Sequence, residues 1–434
     1  MKLLLKNGRV VDPASGRDER ADVLIEDGKV RDVGAIPESA AQQVIDVSGR
    51  VVCPGFIDMH VHLREPGQEW KETVATGTKA AAAGGFTGVA CMPNTVPVND
   101  SRSVTELIMS QAEEQGVVPV YPIGCVTKGQ NGVELAEMGD MVEAGARGFS
   151  DDGKPVLSSL LMRQALEYSQ IFDLPIIDHC EDTVLVDGGV IHEGEISTRL
   201  GLQGWPGVAE DIMVQRDILL AEYTGGQVHI AHMSTGRSAS FVRDAKERNV
   251  RVSCEVTPHH LVLTDEAVAE YDTSAKMNPP LRHESDRHAL IQALADGTVD
   301  AIATDHAPHH SDEKCVEFAM APFGIVGLET AVSLALDRLV HADHVSLQRV
   351  VELFTTGPAR ILRLDKGTLA PGADADVTVL DLDRRVRVDA SDFDSKSSNS
   401  PFLGWDLRGA AVMTLVSGRV VHDALQAEGR DSDE

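Results

Sequence analysis

The stretch VCPGFIDMHVH, residues 52–62, is an apolar run whose polar residues Asp58, His60 and His62 stand two apart. Successive side chains of an extended strand point to opposite faces, so these three share one face while Met59 and Val61 share the other. Two imidazoles at the end of one strand can bind a divalent ion together, because neutral imidazole is a good ligand for zinc. A pair of hydrogen-bonded core histidines explains an isolated HxH equally well. The rest of the chain has to decide between the two.

Seven further strand-like runs follow, FTGVACMP, VVPVYPIGCV, GARGFSDD, LPIIDHC, QVHIAHMS, RVSCEVTP and DAIATDHAP, and helical stretches lie between them. Val104, Leu107, Ile108 and Ala112, like Leu347, Val350, Val351 and Phe354, recur with a helical period. Eight strands alternating with helices predict an α/β chain folded as a (β/α)8 TIM barrel. An open doubly wound sheet fits less well, because no GxGxxG follows the first strand.

Four of the later strands also end in ionisable residues: Asp151-Asp152, Asp178-His179, His232 and Asp305-His306. Ligands from distant strands converge at the C-terminal mouth of a barrel, and this set favours a metal centre over a structural histidine cluster. We expect two Zn2+ ions bridged by Asp152, with His60 and His62 on one and His179 and His232 on the other. Two ions about 3.5–4 Å apart share a hydroxide, the expected nucleophile. Asp305 would touch a metal, take the proton of that hydroxide and deliver it to the leaving nitrogen. Asp58 is expected one layer deeper, orienting a ligand histidine, and Asp151 in a turn or behind the ligands. His259, His260 and His283 are left outside the metal site.

Both chain ends have a different texture. LLLKNGRVVD, ADVLIEDGKVRDVG and QQVIDVSGRVV at the start, and DADVTVLDLD and AVMTLVSGRVVHD near the end, are short strands punctuated by Asp-Gly or Ser-Gly turns. They predict a small β-sandwich domain built from both termini, residues 1–52 and 365–424, around a barrel of residues 53–364. Residues 425–434 are expected to be a disordered tail.

Composition narrows the function. Of 434 residues 42% are hydrophobic and 25% charged, values ordinary for a globular enzyme. A net charge of −29, from 39 basic and 68 acidic residues, opposes binding to nucleic acid or to an anionic membrane. The N-terminus does not read as a signal peptide and no apolar window approaches a membrane span, which makes a cytoplasmic enzyme with a small-molecule substrate the expectation. Six cysteines without a CxxC pair read as buried, reduced thiols.

HVHLREPGQEWKE (60–72), CMPNTVPV (91–98), FSDDGKPV (149–156), HCED (179–182), TPHH (257–260), MNPPLR (277–282), TDHAPH (304–309) and APFGIVGLET (321–330) occur in the order found in one enzyme family. Together they resemble the dihydroorotases of the amidohydrolase superfamily, most closely the class I bacterial branch. The resemblance implies zinc-dependent, reversible hydrolysis of (S)-dihydroorotate to N-carbamoyl-L-aspartate in pyrimidine biosynthesis. It places the metal set on the six residues named above, His60, His62, Asp152, His179, His232 and Asp305. It adds substrate contacts at His62, Arg64, Asn94, Asn278 and His309, and at the backbone of Phe323 and Gly324. Arg64 suits a carboxylate, because its planar fork offers paired hydrogen bonds. Plainer readings pair Arg64 with Glu65 or Glu69, have Asn94 hold a turn and have Asn278 merely precede Pro-Pro.

Relatives such as allantoinase and hydantoinase bridge their metals through a carboxylated lysine, whereas here the fourth strand offers Asp152 and Lys154 lies beyond its end. A silent scaffold for the pathway's carbamoyltransferase should have lost ligands, and this chain has not. A homodimer and a complex with aspartate carbamoyltransferase are both compatible with activity. The long stretch 309–323 after the eighth strand is expected to order on substrate binding.

Overall fold

The computed structural model describes residues 2–425; the expected tail, from residue 426 onward, lies outside them. Strands β1 (Lys2–Asp12), β2 (Arg17–Glu26), β3 (Lys29–Gly34), β4 (Gln43–Asp46) and β5 (Val51–Pro54) come from the start of the chain. The central run holds β6 (Phe56–Val61), β7 (Phe86–Cys91), β8 (Val120–Pro122) and β9 (Ile176–Asp178), then a two-residue pair, β10 (Ile191–His192) and β11 (Gly204–Trp205). It continues with β12 (Val228–Ile230), β13 (Val252–Val256) and β14 (Ala301–Ile302). The chain ends in β15 (Val377–Arg387), β16 (Asp406–Val416) and β17 (Arg419–Asp423).

The terminal strands form one hydrogen-bonded sheet in the order β17-β16-β15-β5-β1-β2-β3, with β4 beside β1. Both ends of the chain therefore share a sheet, through the antiparallel pairing of β15 with β5. Two hairpin turns explain part of this order. Asp27-Gly28 and Ser417-Gly418 have positive φ at both central residues, as the tight turn matching strand twist requires. Leu3, Leu5, Val10, Val23, Ile25, Val52, Val377, Val379, Val412 and Leu415 form a core of this sheet's own.

The central strands are parallel and fall into two sheets, β6-β7-β8 and β14-β13-β12-β9. Single parallel bridges join the two at both ends. Gly124 pairs with Phe149, which pairs with Ile176, and Val61 pairs with His306. At that second junction the His62 N–H donates to the His306 carbonyl at 2.9 Å. GARGFSDD is not the full strand expected; it contributes one bridging residue, Phe149. Gly145, at φ 115°, turns the chain just before it, and the side chain of Asp151 ends the extended run by accepting from the Val126 and Thr127 N–H groups.

Helices cover the outside, and several start where the sequence supplies a cap: Ser158, Thr235, Thr257 and Ser346 each accept a backbone N–H of the first turn. The terminal sheet docks at the end where the central strands begin. Thr378 accepts from the Phe56 N–H at 3.2 Å and donates to the Gly85 carbonyl at 2.6 Å, and Thr414 donates to the Ala82 carbonyl at 2.7 Å. Between β15 and β16, residues 388–405 leave that sheet and run to the opposite end of the strands, where Asn399 bonds to His309.

Five cysteines are buried as expected, but Cys315 is exposed. At the starting ends of the strands Phe56 stacks on Phe354 at 5.2 Å between ring centroids, and Phe86 meets both edge-on. Removing one ring from this cluster leaves a cavity that the strand ends cannot close. Phe354→Ala is expected to cost about 3–5 kcal/mol in denaturant unfolding, with the Michaelis constant unchanged because the polar strand ends lie at the other end.

Candidate active site

The side chains expected to act together do meet. Asp152, His179, His232 and Asp305 all follow the C-terminal ends of their strands or bridge, and join His60 and His62 around one cavity of about 310 Å³. Eleven of the twelve residues singled out from the sequence line it, and His60 lies beneath, fully buried. Asp152 is the focus. Its Oδ1 lies 3.2 Å from His60 Nε2, 3.7 Å from His232 Nε2 and 3.8 Å from His179 Nδ1, and its Oδ2 lies 3.4 Å from His62 Nε2. Asp305 Oδ1 approaches His62 Nε2 at 3.1 Å and His60 Nε2 at 3.6 Å.

Three of the imidazoles are held from outside. His60 Nδ1 is 2.7 Å from Glu255 Oε1, His62 Nδ1 is 2.8 Å from the Asn94 carbonyl oxygen, and His179 Nε2 is 2.9 Å from Glu181 Oε2. Each outer partner is an acceptor, so each ring donates outward and turns its lone pair inward. Inward lone pairs face carboxylate oxygens. His60 Nε2 and Asp152 Oδ1 are both buried with no hydrogen-bond partner although they are 3.2 Å apart. Two acceptors set against each other in this way need a cation between them.

The electrostatics agree. Burial works against protonating His60, but Asp152 and Glu255 on either side outweigh it and raise its pKa well above the usual histidine range. Burial likewise pushes the Asp152 and Asp305 carboxyls up, and the surrounding histidines bring both well below the usual carboxylate range. The potential that draws a proton to His60 also favours a metal cation. His60, His62 and Asp305 form one ligand triad of suitable spacing, and His60, Asp152 and His232 another. His179 Nδ1 adjoins the second triad, 2.9 Å from His232 Nε2. The donor set of imidazole and carboxylate fits zinc or a similar divalent ion.

Arg64, His232 and Asp305 have left-handed backbones, with φ of 61°, 31° and 49°. This conformation is strained for residues with a β-carbon, at about 1–3 kcal/mol each, and the surrounding contacts must hold it. Asp58 helps, though not as expected. It accepts from the backbone N–H groups of His60 and Thr304, both at 3.1 Å, tying β6 to the segment before Asp305. Glu255 performs the ring-orienting task expected of Asp58.

The substrate-facing residues are placed as follows. Arg64 donates from Nε to the Pro308 carbonyl at 3.2 Å and does not pair with Glu65 or Glu69. Asn94 gives its carbonyl to His62, so it supports a ring as well as lining the cavity. Asn278 donates to Glu181 at 3.3 Å, and its Oδ1 is buried without a partner. His309 Nε2 donates to the Phe323 carbonyl at 2.8 Å; burial and the adjacent Arg64 hold its pKa down at about 2, and Nδ1 makes no hydrogen bond, with Glu313 Oε2 3.8 Å away. The backbone of Phe323 and Gly324 lines the cavity and is partly engaged within the protein. The Gly324 N–H donates to the Lys276 carbonyl at 2.8 Å, the Gly324 carbonyl accepts from Asn399 at 3.1 Å, and the Phe323 carbonyl is taken by His309. The Phe323 N–H takes part in none of these bonds, and each carbonyl keeps a second lone pair.

Sequence reasoning missed Glu255, Glu181 and Lys276. A signal existed for Glu255, the one charge inside the apolar strand RVSCEVTP, since a buried charge requires a partner. Lys276 is almost fully buried and donates to the carbonyls of Phe318, Ala319 and Ala321 at 2.7–2.9 Å. Lys314 holds the carbonyls of Thr273 and Pro322. The stretch 309–323 is thus anchored by two lysines. Lys154 donates to the Gln130 carbonyl at 3.3 Å, outside the imidazole cluster.

Comparison with known proteins follows the same line. A family model described as dihydro-orotase-like matches residues 49–238, and one described as amidohydrolase family matches residues 224–422. Proteins named dihydroorotase from Geobacter sp. (strain M21) and Pelotomaculum thermopropionicum are each 56% identical, covering 98% and 97% of this chain and 100% and 98% of theirs. Among solved structures, the L-hydantoinase (dihydropyrimidinase) of Arthrobacter aurescens superposes with a TM-score of 0.88 at 27% identity, covering 97% of this chain and 96% of that one. The dihydropyrimidinase of Brevibacillus agri shares the fold at a TM-score of 0.86 and 24% identity, covering 98% and 95%.

Glu255 tests the outer layer of the site. Its carboxyl is pushed up by burial but brought down to about 2 by His60 and His229, so it is ionised at any working pH. Glu255→Ala frees the His60 ring to turn and is expected to weaken metal binding by about 10–100-fold, read by competition with a chromogenic chelator.

Proposed function

The chain belongs to the dihydroorotase family, and from that premise we propose how its residues carry out the reaction. The enzyme is a cyclic amide hydrolase that interconverts (S)-dihydroorotate and N-carbamoyl-L-aspartate. The observation that carries the site assignment is the inward set of imidazole lone pairs around Asp152, produced by outward bonds to Glu255, Asn94 and Glu181.

We assign the metal set to His60, His62, Asp152, His179, His232 and Asp305, which would hold two zinc ions with Asp152 as their shared ligand. The two carboxylate oxygens of Asp152 support this reading, since one faces His62 and the other His60, His179 and His232. Zinc bound there supplies Lewis acidity, polarising an amide carbonyl and bringing the ionisation of water towards neutral pH. Asp305 takes the proton of the attacking water as the new carbon–oxygen bond forms at the ring carbonyl. It returns that proton to the ring nitrogen as the carbon–nitrogen bond breaks, so no net proton is left on the enzyme. In the ring-closing direction the same carboxylate accepts from the carbamoyl nitrogen.

Arg64, on the cavity lining, grips the substrate carboxylate together with Asn94 and His309. A carboxylate bound beside His309 works against the burial and the Arg64 charge that hold its pKa down. Asn278 lies where its unpartnered Oδ1 can accept a ring N–H. The exclusion of neutral rings follows from this lining: a hydantoin would leave the Arg64 charge desolvated and unpaired.

The scaffold we propose is a closed (β/α)8 barrel of residues 53–364 capped by a β-sandwich of residues 1–52 and 365–424, with 388–405 packed against the barrel. The parallel bridges that join the two central sheets at both ends support closure, as does the likeness to the hydantoinase structure.

Purified, metal-analysed enzyme assayed with L-dihydroorotate, hydantoin and allantoin in parallel is expected to turn over dihydroorotate alone and to lose that activity to a chelator. Full metal occupancy with no dihydroorotate turnover would sink this reading. Asp305→Ala should lower kcat by several powers of ten while substrate still binds, and Arg64→Ala should act mainly on KM. Equal KM in the wild type and Arg64→Ala would remove Arg64 from the carboxylate site.

A further inference from the structure

The stretch 388–405 belongs by sequence position to the terminal sheet, yet it reaches the mouth of the cavity. Asn399, near the end of the polar run DSKSSNS, is buried there with its whole carboxamide in use. Its Nδ2 donates to the carbonyls of Ala307 and Gly324, both at 3.1 Å, and its Oδ1 accepts from the His309 N–H at 3.0 Å. All three of these bonds end on residues that line the cavity. The Asn399 carbonyl takes a fourth, from the Val326 N–H at 3.0 Å. One side chain thus fixes the spacing between the segment carrying His309 and the segment carrying Phe323 and Gly324.

The same stretch is fastened a second time, next to Asp305. Ser395 donates to Glu72, and Glu72 Oε2 lies 3.2 Å from His306 Nε2. The His306 Nδ1 accepts from the Gly327 N–H at 3.1 Å. Asn399 therefore does not hang from a free loop; its own position is set relative to the strand that bears the acid–base carboxylate.

We propose that Asn399 is a positioning residue for substrate recognition, setting the distance between His309 and the Phe323–Gly324 backbone without touching substrate. The argument rests on the assignment of those residues to the substrate side of the cavity. Only an amide fits this place. Aspartate keeps the size and the acceptor for His309 but turns an oxygen towards two carbonyls, and alanine removes all three bonds.

The test uses full-length, metal-loaded enzyme with Asn399→Ala and Asn399→Asp. Steady-state kinetics with L-dihydroorotate, thermal melting and bound-metal analysis are run on the same preparations. Displacement of contact groups by a fraction of an ångström to one ångström is expected to raise KM by about tenfold or more, with kcat within about threefold of wild type and metal content unchanged. A preparation that melts early is assayed at a temperature below its transition, so the constants are still obtained. KM unchanged in both variants, with or without a lower melting temperature, overturns the proposal and leaves a structural amide. A fall in kcat with KM unchanged overturns it as well. His309→Ala serves as the reference. If it raises KM and the Asn399 variants do not, the inference fails alone; if neither moves KM, the assignment of His309 to the substrate side has failed first.

Discussion

A carboxylate buried among four imidazoles, three of them held so that their lone pairs face it, is the constraint on which this structure depends. Asp152 has a nitrogen of His60, His62, His232 and His179 within 4 Å and is 4% exposed. Glu255, Asn94 and Glu181 bind the protons of three of those rings on their far sides. With the inward nitrogens unprotonated, the ensemble is a concentration of acceptors in a water-poor space and is stable only around positive charge. A proton on His60 meets the need in part, and a divalent cation meets it with one ligand from each side.

That requirement determines what the strands must do. The six ionisable side chains come from five places in the central run, and they converge because the two parallel sheets and the bridges between them hold the strand ends side by side. The contacts that hold this order are themselves polar and buried. Asp58 ties the backbone of β6 to Thr304, and the single bridge at Phe149 connects β8 to β9 where a fuller strand was expected. The left-handed backbones of Arg64, His232 and Asp305 aim their side chains at a cost that a loosely held loop could not sustain.

Much of this could be read from residue order. The parity of Asp58, His60 and His62 placed both imidazoles on one face, and the recurrence of Asp and His at later strand ends located the mouth. Turn chemistry at Asp27-Gly28 and Ser417-Gly418 linked the two chain ends, which share a sheet. What escaped reading follows a common physical cause. Glu255 sits within a strand whose neighbours are apolar, so its role depends on which ring lies across the sheet. Asp58, at the correct parity for a ligand, bonds backbone instead, because depth along a strand is not encoded by alternation. Asn399 lies in a Ser-rich polar run that resembles any solvated loop, and the partners of its side chain stand 75 to 92 residues away. Long-range pairing of a polar side chain leaves no local pattern.

The distribution of charge across the cavity explains why a substrate with a carboxylate beside a cyclic amide suits this site. Asp152 and Asp305 line the cavity, and Glu255 lies behind His60. Arg64 lines it as well, and Lys276 lies against the Phe323 ring, its three carbonyl bonds calling for the three N–H groups of an ammonium. Among the described residues neither cation has a carboxylate within ion-pair distance, and the Lys276 ammonium lies 4.5 Å from the centre of the Phe323 ring. Cations and anions set around one cavity give it an internal field. In the proposed binding mode that field would draw a substrate carboxylate to Arg64 and turn the ring carbonyl towards Asp152 and Asp305. Orientation is thus decided by groups that also hold the loop in place, and a change that loosens the loop also disturbs the field that aligns the substrate.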